Sequence, residues 1–244
     1  MTIELLCLLI FGVFVIAMLY SSVGHAGASG YIAIMSLLSL APTVIKPTAL
    51  SLNILVAAIA TWQFYRAGHF SWSLFWPFAA FAVPCAFIGG QLNLPTHLFK
   101  VVLGLVLLYS AMRFFMQSKQ SLQIHEPPRA YALASGAGIG FLSGLTGTGG
   151  GIFLTPLLLF MGWADAKRAA AVSALFVLLN SISGLAGNLT ATKSLPPFII
   201  PLLLAAALGG VIGSYFGSFR IQSAAIKKLL ALVLLIAGLK LILT

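Results

Sequence analysis

Apolar residues in this chain run in long unbroken blocks, and polar residues appear as short interruptions between them. Ten apolar runs can be read, at roughly 3–20, 31–45, 47–65, 72–92, 98–116, 130–145, 152–164, 169–187, 198–217 and 225–243. The charge-free stretches 5–45, 47–65, 130–164, 169–192 and 194–219 each exceed the roughly 18 residues that nominate a membrane-spanning helix. The runs do not alternate apolar with polar, as barrel strands must. The pattern predicts an all-α integral membrane protein. The second and seventh runs are short for a full span, and each follows a glycine-rich break.

Those breaks are two copies of one pattern, about 122 residues apart: Ser21-Ser-Val-Gly-His-Ala-Gly-Ala-Ser-Gly30 and Ser143-Gly-Leu-Thr-Gly-Thr-Gly-Gly-Gly151. Around them Ser21 aligns with Ser143, Lys46 with Arg168 and Ser51 with Ser173; after small gaps, Gly89 matches Gly213 and Lys100 matches Lys227. The expected organisation is a first membrane repeat over 1–116, a cytoplasmic linker over 117–129 containing Pro127-Pro128, and a second repeat over 130–244. Duplicated, glycine-interrupted apolar segments point to a secondary transporter whose site lies where the breaks meet.

Charge bears on topology. If all ten runs cross, one side holds Arg66, Arg113, Lys119, Arg129, Lys167, Arg168, Arg220, Lys227 and Lys228, and the other holds Lys46, Lys100, Lys193 and Lys240. That is nine against four, whereas re-entrant short runs would give seven against six. Cytoplasmic loops are enriched in Lys and Arg, so five-plus-five inverted repeats with both termini outside are expected. The first run carries Glu4 and no N-terminal Lys or Arg, so it is expected to be retained as a helix rather than removed as a signal peptide.

At 61% hydrophobic and 7% charged residues, the chain cannot be an ordinary soluble domain, where about a quarter of residues are charged. Its basic residues are scattered singly between apolar runs, which disfavours a nucleic-acid partner. Cys7 and Cys85 both sit in apolar runs, so neither a disulfide framework nor a metal site is expected. Cys85 aligns with Gly209 of Gly209-x-x-x-Gly213-x-x-x-Gly217, a close-packing pattern, and is read as a small packing residue. Membrane lipid is the expected surroundings. No cofactor and no catalysis are expected, because the two cysteines have no base near them in sequence.

The second copy carries a family resemblance. Gly140-Phe-Leu-Ser-Gly-Leu-Thr-Gly-Thr-Gly-Gly-Gly-Ile-Phe-Leu-Thr-Pro156, followed by an Ala-rich helix with Ser173, closely resembles the TauE/SafE sulfite exporter family, including its 4-toluene sulfonate uptake permease-type members. Ile212-Gly-Ser and the helix from Lys227 to Lys240 extend the likeness over essentially the whole chain. In the first copy His25, Ala28 and Ser29 stand where the family usually shows glycine. The resemblance implies a multi-pass carrier of the bacterial inner (plasma) membrane for small sulfur-containing anions such as sulfite, sulfoacetate or other organosulfonates.

A glycine break inside a membrane exposes backbone groups that lipid cannot satisfy, and successive N–H groups at a helix start form an anion-binding concavity. Gly27 in the first copy and Gly147, Gly149 and Gly150 in the second are candidate backbone donors, with Ser29, Thr146 and Thr148 as neighbouring hydroxyls. The same glycines also suit tight helix crossings. His25 is the only titratable group within 5–45; it suits a hydrogen bond to an anion, or a neutral ring held by a carbonyl. Ser51 with Ser173, and Asn53 with Asn180, are further candidates, against the alternative that they join helices to one another.

Lys46 and Arg168 are expected just before the third and eighth runs, at helix ends or drawing an anion towards a vestibule. No Asp or Glu lies in mid-run, which disfavours a cationic substrate. A coupling proton would need His25 or the substrate, and sodium would need backbone carbonyls. The competing functions are an uncoupled anion channel, a carrier of another small organic anion, a membrane-embedded enzyme and a non-transporting scaffold. Substrate, direction, coupling ion and oligomeric state are left open by the residues.

Overall fold

A computed structural model describes residues 3–38, 40, 42–92, 108, 111–112, 124–188 and 198–243. Among them the regular structure is helical: α1 (Ile3–Ser21), α2 (Ala28–Leu37), α3 (Pro42–Arg66), α4 (Trp72–Gln91), α5 (Arg129–Thr146), α6 (Gly151–Phe160), α7 (Ala166–Asn188), α8 (Ile199–Tyr215), a π turn (Phe216–Arg220) and α9 (Ser223–Leu243). Most of these helices are apolar around their whole circumference, with no polar stripe, which is the pattern of a helix whose surroundings are protein and hydrocarbon. Five of them are long and apolar enough to cross a membrane, at Ile3–Ser21, Val44–Arg66, Trp72–Gln91, Ala166–Asn188 and Ile199–Arg220. The fifth expected run, 98–116, falls almost wholly outside the described residues, as does the comparison of Lys100 with Lys227.

The short second and seventh runs are indeed short helices of ten residues each, α2 and α6. The boundary between the second and third runs differs from the reading above. The third helix starts at Pro42 and carries Pro47 inside it, so Lys46 lies within α3 rather than before it. Proline suits a first helical position because its missing N–H has no intrahelical partner there, and an interior proline is tolerated in a membrane helix when neighbours satisfy the freed carbonyl.

Small residues let the helices pack at backbone contact. Along α5, Gly136, Gly140 and Gly144 lie on the backbone of Phe78, Ala82 and Ala86 of α4. Along α8 and its π turn, Gly209, Gly213 and Gly217 lie on Phe14, Met18 and Ser22 at the α1 side. At all six positions a Cβ would overlap a carbonyl oxygen of the partner. These are four-residue ladders of the kind that drive helix association where lipid removes the hydrophobic force. Cys85 is half-buried beside the first ladder, whose α4 face is made by Ala82, Ala86, Gly89 and Gly90.

Contacts also place the helix ends. At one end of the bundle the carbonyl of Ser218 accepts from His69 Nε2 at 3.2 Å and Lys167 Nζ at 3.3 Å. It thereby ties the end of α8 to the α3–α4 loop and the start of α7. Ser71, Arg129 and Arg168 line one groove at that end, so α4, α5 and α7 all begin there. Exposed aromatic side chains ring the same level: Trp62, Tyr65, Trp72, Trp76 and Tyr131 are all more than half exposed, as expected of a belt at a membrane–water interface. At the opposite end Lys46 of α3 and Asn188 of α7 both donate to the carbonyl of Gly90 near the end of α4, at 3.3 and 3.5 Å.

Candidate functional site

The long helices α3 and α7 form the middle of the bundle. Ala60 and Phe64 of α3 cluster with Ala170, Ala171 and Ala174 of α7, and further along Asn53 Nδ2 donates to Ser181 Oγ at 3.4 Å. The two glycine breaks lie against this pair. Gly24 sits on the backbone of Ala170, and Gly147 lies under the Lys46 side chain, where a Cβ would come within 3.0 Å of Lys46 Cγ. Each break is therefore packed on the third helix of the other half.

The first break runs through Ser22–Gly27 and turns on hydrogen bonds from the N–H groups of Val23 and His25 to Tyr20 O and from Gly24 N–H to Ser21 O. Gly24 and Gly27 have φ of +77° and +106°, which glycine alone adopts without penalty. His25 is buried, with Nε2 2.9 Å from Thr155 Oγ1, and Thr155 donates to Ser173 Oγ at 2.7 Å. One hydrogen-bonded chain thus joins the first break, α6 and α7. Ser29 is buried and bonds the Tyr20 hydroxyl at 3.2 Å.

In the second break, Gly147 ends α5 in the left-handed region and returns its N–H to Ser143 O at 2.8 Å. Gly149 and Gly150 follow at φ +77° and +82°, and α6 starts at Gly151. The N–H groups of Phe153 and Leu154 turn back to Gly150 O, which leaves Gly151 and Ile152 as donors at the helix start. Thr146 and Thr148 share a hydroxyl bond at 2.8 Å, and Asn53 Nδ2 lies 3.4 Å from Thr148 O.

The breaks meet. Tyr20, His25, Gly27 and Ser29 from one face Thr148, Gly151 and Ile152 from the other across a cleft closed by Val177 of α7. The cleft leaves no room for a water-sized sphere. The His25 ring also meets the Gly151 backbone across the cleft, and buried polar atoms without a partner among the described residues include Asn53 Oδ1, next to Thr148 O, and Ser143 Oγ at the second break. A buried polar atom left unpaired costs about 1–3 kcal/mol, a cost that a polar ligand reaching Asn53 or Ser143 would relieve. No acidic side chain joins them, since Glu4, Glu126 and Asp165 lie at helix ends and loops.

The candidates from sequence divide on this geometry. His25, Gly27, Ser29, Thr148, Gly149, Gly150 and Ser173 lie at or beside the junction, and Asn53 reaches it through Thr148. Gly147 and Thr146 lie on its α5 side. Asn180 is buried in α7 and spends its amide on Phe176 O at 2.9 Å. Ser51 does not join them, because its hydroxyl is turned to Pro47 O of its own helix at 2.9 Å. Gly149 has a packing duty as well, since a Cβ there would come within 2.9 Å of both Asn53 Nδ2 and Ser181 Oγ. Lys46 is half-buried at the second break, whereas its counterpart Arg168 is exposed and paired with Asp165 at 3.6 Å.

Thr155, Ser181 and Val177 were not singled out as site residues. Thr155 carried a signal, as the one hydroxyl in the apolar stretch Gly151–Phe160. Val177 carried none, because its place depends on how α7 crosses the break.

Stacked apolar helices around two facing breaks define a multi-pass membrane protein, and relatives make the class specific. The chain belongs to the sulfite exporter TauE/SafE family, whose model matches residues 8–241, and it is a membrane transporter. It is 44% identical over 234 residues to the probable membrane transporter protein y4hK of Sinorhizobium fredii (strain NBRC 101917 / NGR234), covering 94% of this chain and 95% of that one. No solved structure matches the chain.

Proposed function

We propose that the protein carries small sulfur-containing anions, sulfite, sulfoacetate or other organosulfonates, across the bacterial inner membrane by alternating access of two inverted halves. The observation that carries this reading is the meeting of both glycine breaks at a buried, carboxylate-free cleft. The start of α6 offers N–H groups there, Thr148 a hydroxyl, and Lys46 lies beside the same break. A sulfonate presents three acceptor oxygens and one delocalised charge, which such donors match.

Three contact patterns support the inverted relation. The helix α3 meets α7 with indices running in opposite directions, Asn53 by Ser181 and Phe64 in the cluster with Ala170. The first helix of each half runs alongside the fourth of the other, α1 with α8 and α5 with α4. In addition, α1 ends where α8 ends, at the end of the bundle where α5 begins. The basic residues Arg66, Arg129, Lys167, Arg168 and Arg220 belong to the helix termini and loops gathered there, which supports a cytoplasmic assignment for that end.

The closed cleft supports a carrier over an open channel, because a carrier occludes its site between openings. Binding of sulfite, sulfoacetate and small carboxylates by purified protein, measured by calorimetry, tests the site. Thr148→Val keeps the volume and removes one hydroxyl. Loss of one bond to a charged ligand is worth about 1.5–3 kcal/mol, so a 10- to 150-fold weaker Kd is expected for the anion that binds. Unchanged affinity would move the site elsewhere. Uptake of that anion into liposomes, saturable and without single-channel currents, is the expected transport behaviour.

A further inference from the structure

Away from the cleft, at the end that carries the aromatic belt, lies an open groove of about 670 Å³ that the transport reading leaves unused. Its wall includes Arg129 and Arg168, the hydroxyls of Ser71 and Ser73, and the rings of Trp76 and Trp163. His125 and Glu126 close one side, where the His125 N–H is anchored to Gly162 O at 3.1 Å. Glu126 is the one carboxylate in the lining, and Asp165 just outside it pairs with Arg168 at 3.6 Å in an exposed contact that water screens, so Arg129 is the principal cation facing the groove. The groove is far larger than a sulfite or sulfonate group, since a water's share of liquid volume is about 30 Å³.

Depth distinguishes this groove from an aqueous vestibule. Trp76 lines it and is 67% exposed, and Tyr131, two residues along α5 from the groove's Arg129, is 71% exposed. Side chains of this kind sit at the headgroup level of a bilayer. Ser71 caps the start of α4 without a side-chain cap bond, and its hydroxyl pairs with that of Ser73 at 3.0 Å beside the positive end of that helix. Apolar Leu74, Pro77 and Leu133 floor the same groove. Cations at headgroup depth above an apolar floor match one kind of ligand, a monoanionic phosphate carried on acyl chains.

We infer that this groove binds the headgroup of an anionic phospholipid, its phosphate held by Arg129 and Arg168 and its chains running down past Trp76. The inference is independent of which anion is transported. Native mass spectrometry of the full chain in detergent tests it, with phosphatidylglycerol and phosphatidylethanolamine added as probes. Wild type is expected to retain phosphatidylglycerol in preference to phosphatidylethanolamine. Arg129→Gln is expected to reduce that retention about fivefold, in line with the attraction of one interfacial cation. Glu126→Gln is expected to increase it, an opposite-sign result that a folding defect would not produce. Inorganic phosphate or glycerol phosphate at millimolar concentration, lacking chains, is expected to leave the adduct in place. Equal retention of the two lipids, retention unchanged in both variants, or displacement by free phosphate would overturn the assignment.

Discussion

The two glycine breaks follow the same path and do different chemistry. Both interrupt the chain ahead of a ten-residue helix, both contain glycines at positive φ, and both pack on the third helix of the opposite half. The first presents a side chain, His25, bonded to Thr155 and through it to Ser173. The second presents backbone and hydroxyls, with Lys46 over Gly147 and Asn53 beside Thr148. Equivalent positions have parted company in the same way: Ser173 joins the His25 chain while Ser51 bonds its own helix. Backbone contacts at glycine recur at both breaks, and side chains are free to make the chemistry between them differ.

The scaffold side of that comparison breaks most severely at Gly24. Gly24→Ala places a Cβ on the Ala170 backbone at a φ of +77°, and neither a helix backbone nor a turn can yield cheaply. The expected outcome is loss of monodisperse protein on size-exclusion chromatography. Gly138→Ala, on α5 where nothing lies within 4 Å of the added Cβ, should fold normally; it gains the helix preference of Ala, worth about 1 kcal/mol. Equal behaviour of the two variants would show that backbone contact does not hold the first break in place.

The charge asymmetry is sharpened by neutralising equivalent cations. Lys46→Gln removes the half-buried cation at the second break and is expected to weaken anion binding about tenfold or more, the value of one bond to a charged ligand. Arg168→Gln removes a cation that is exposed and already paired with Asp165, and less than a twofold change is expected. Calorimetry on both variants checks this; similar losses would return the two positions to equivalence.

Smaller effects are expected within the hydrogen-bonded chain. Thr155→Val leaves both His25 Nε2 and Ser173 Oγ without that partner, and about 1–3 kcal/mol of destabilisation is expected for a buried group left unpaired. A lowered melting temperature in detergent is the readout. Ser173→Ala is expected to cost about 1 kcal/mol, while Ser51→Ala, which loses only a bond within its own helix, should stay within about 0.5 kcal/mol of wild type. A larger loss for Ser51→Ala than for Ser173→Ala would reverse the division between the halves.

Much of this was legible in the residues, for identifiable reasons. Continuous apolar runs specify helices because hydrocarbon satisfies no backbone group, and a glycine cluster inside such a run marks a break wherever it falls. The duplication placed two breaks. Less legible was the start of α3. Pro47 and Lys46 suggested a helix beginning there, but Pro42 is the first helical residue and Lys46 finds its partner, Gly90 O, on a helix more than forty positions away.

By itself, then, the sequence determined the helical membrane class, the repeated breaks and the chemistry available to them, because these depend on local composition and on the solvent around the chain. Only the tertiary structure decided which break meets which helix. It brought Thr155 between His25 and Ser173, set Val177 across the cleft, turned Ser51 away and laid Lys46 over Gly147. Those choices follow from where backbones touch at glycine ladders such as Gly136–Gly140–Gly144 and Gly209–Gly213–Gly217. The register between two ladders is a property of the pair of helices, which neither helix specifies alone.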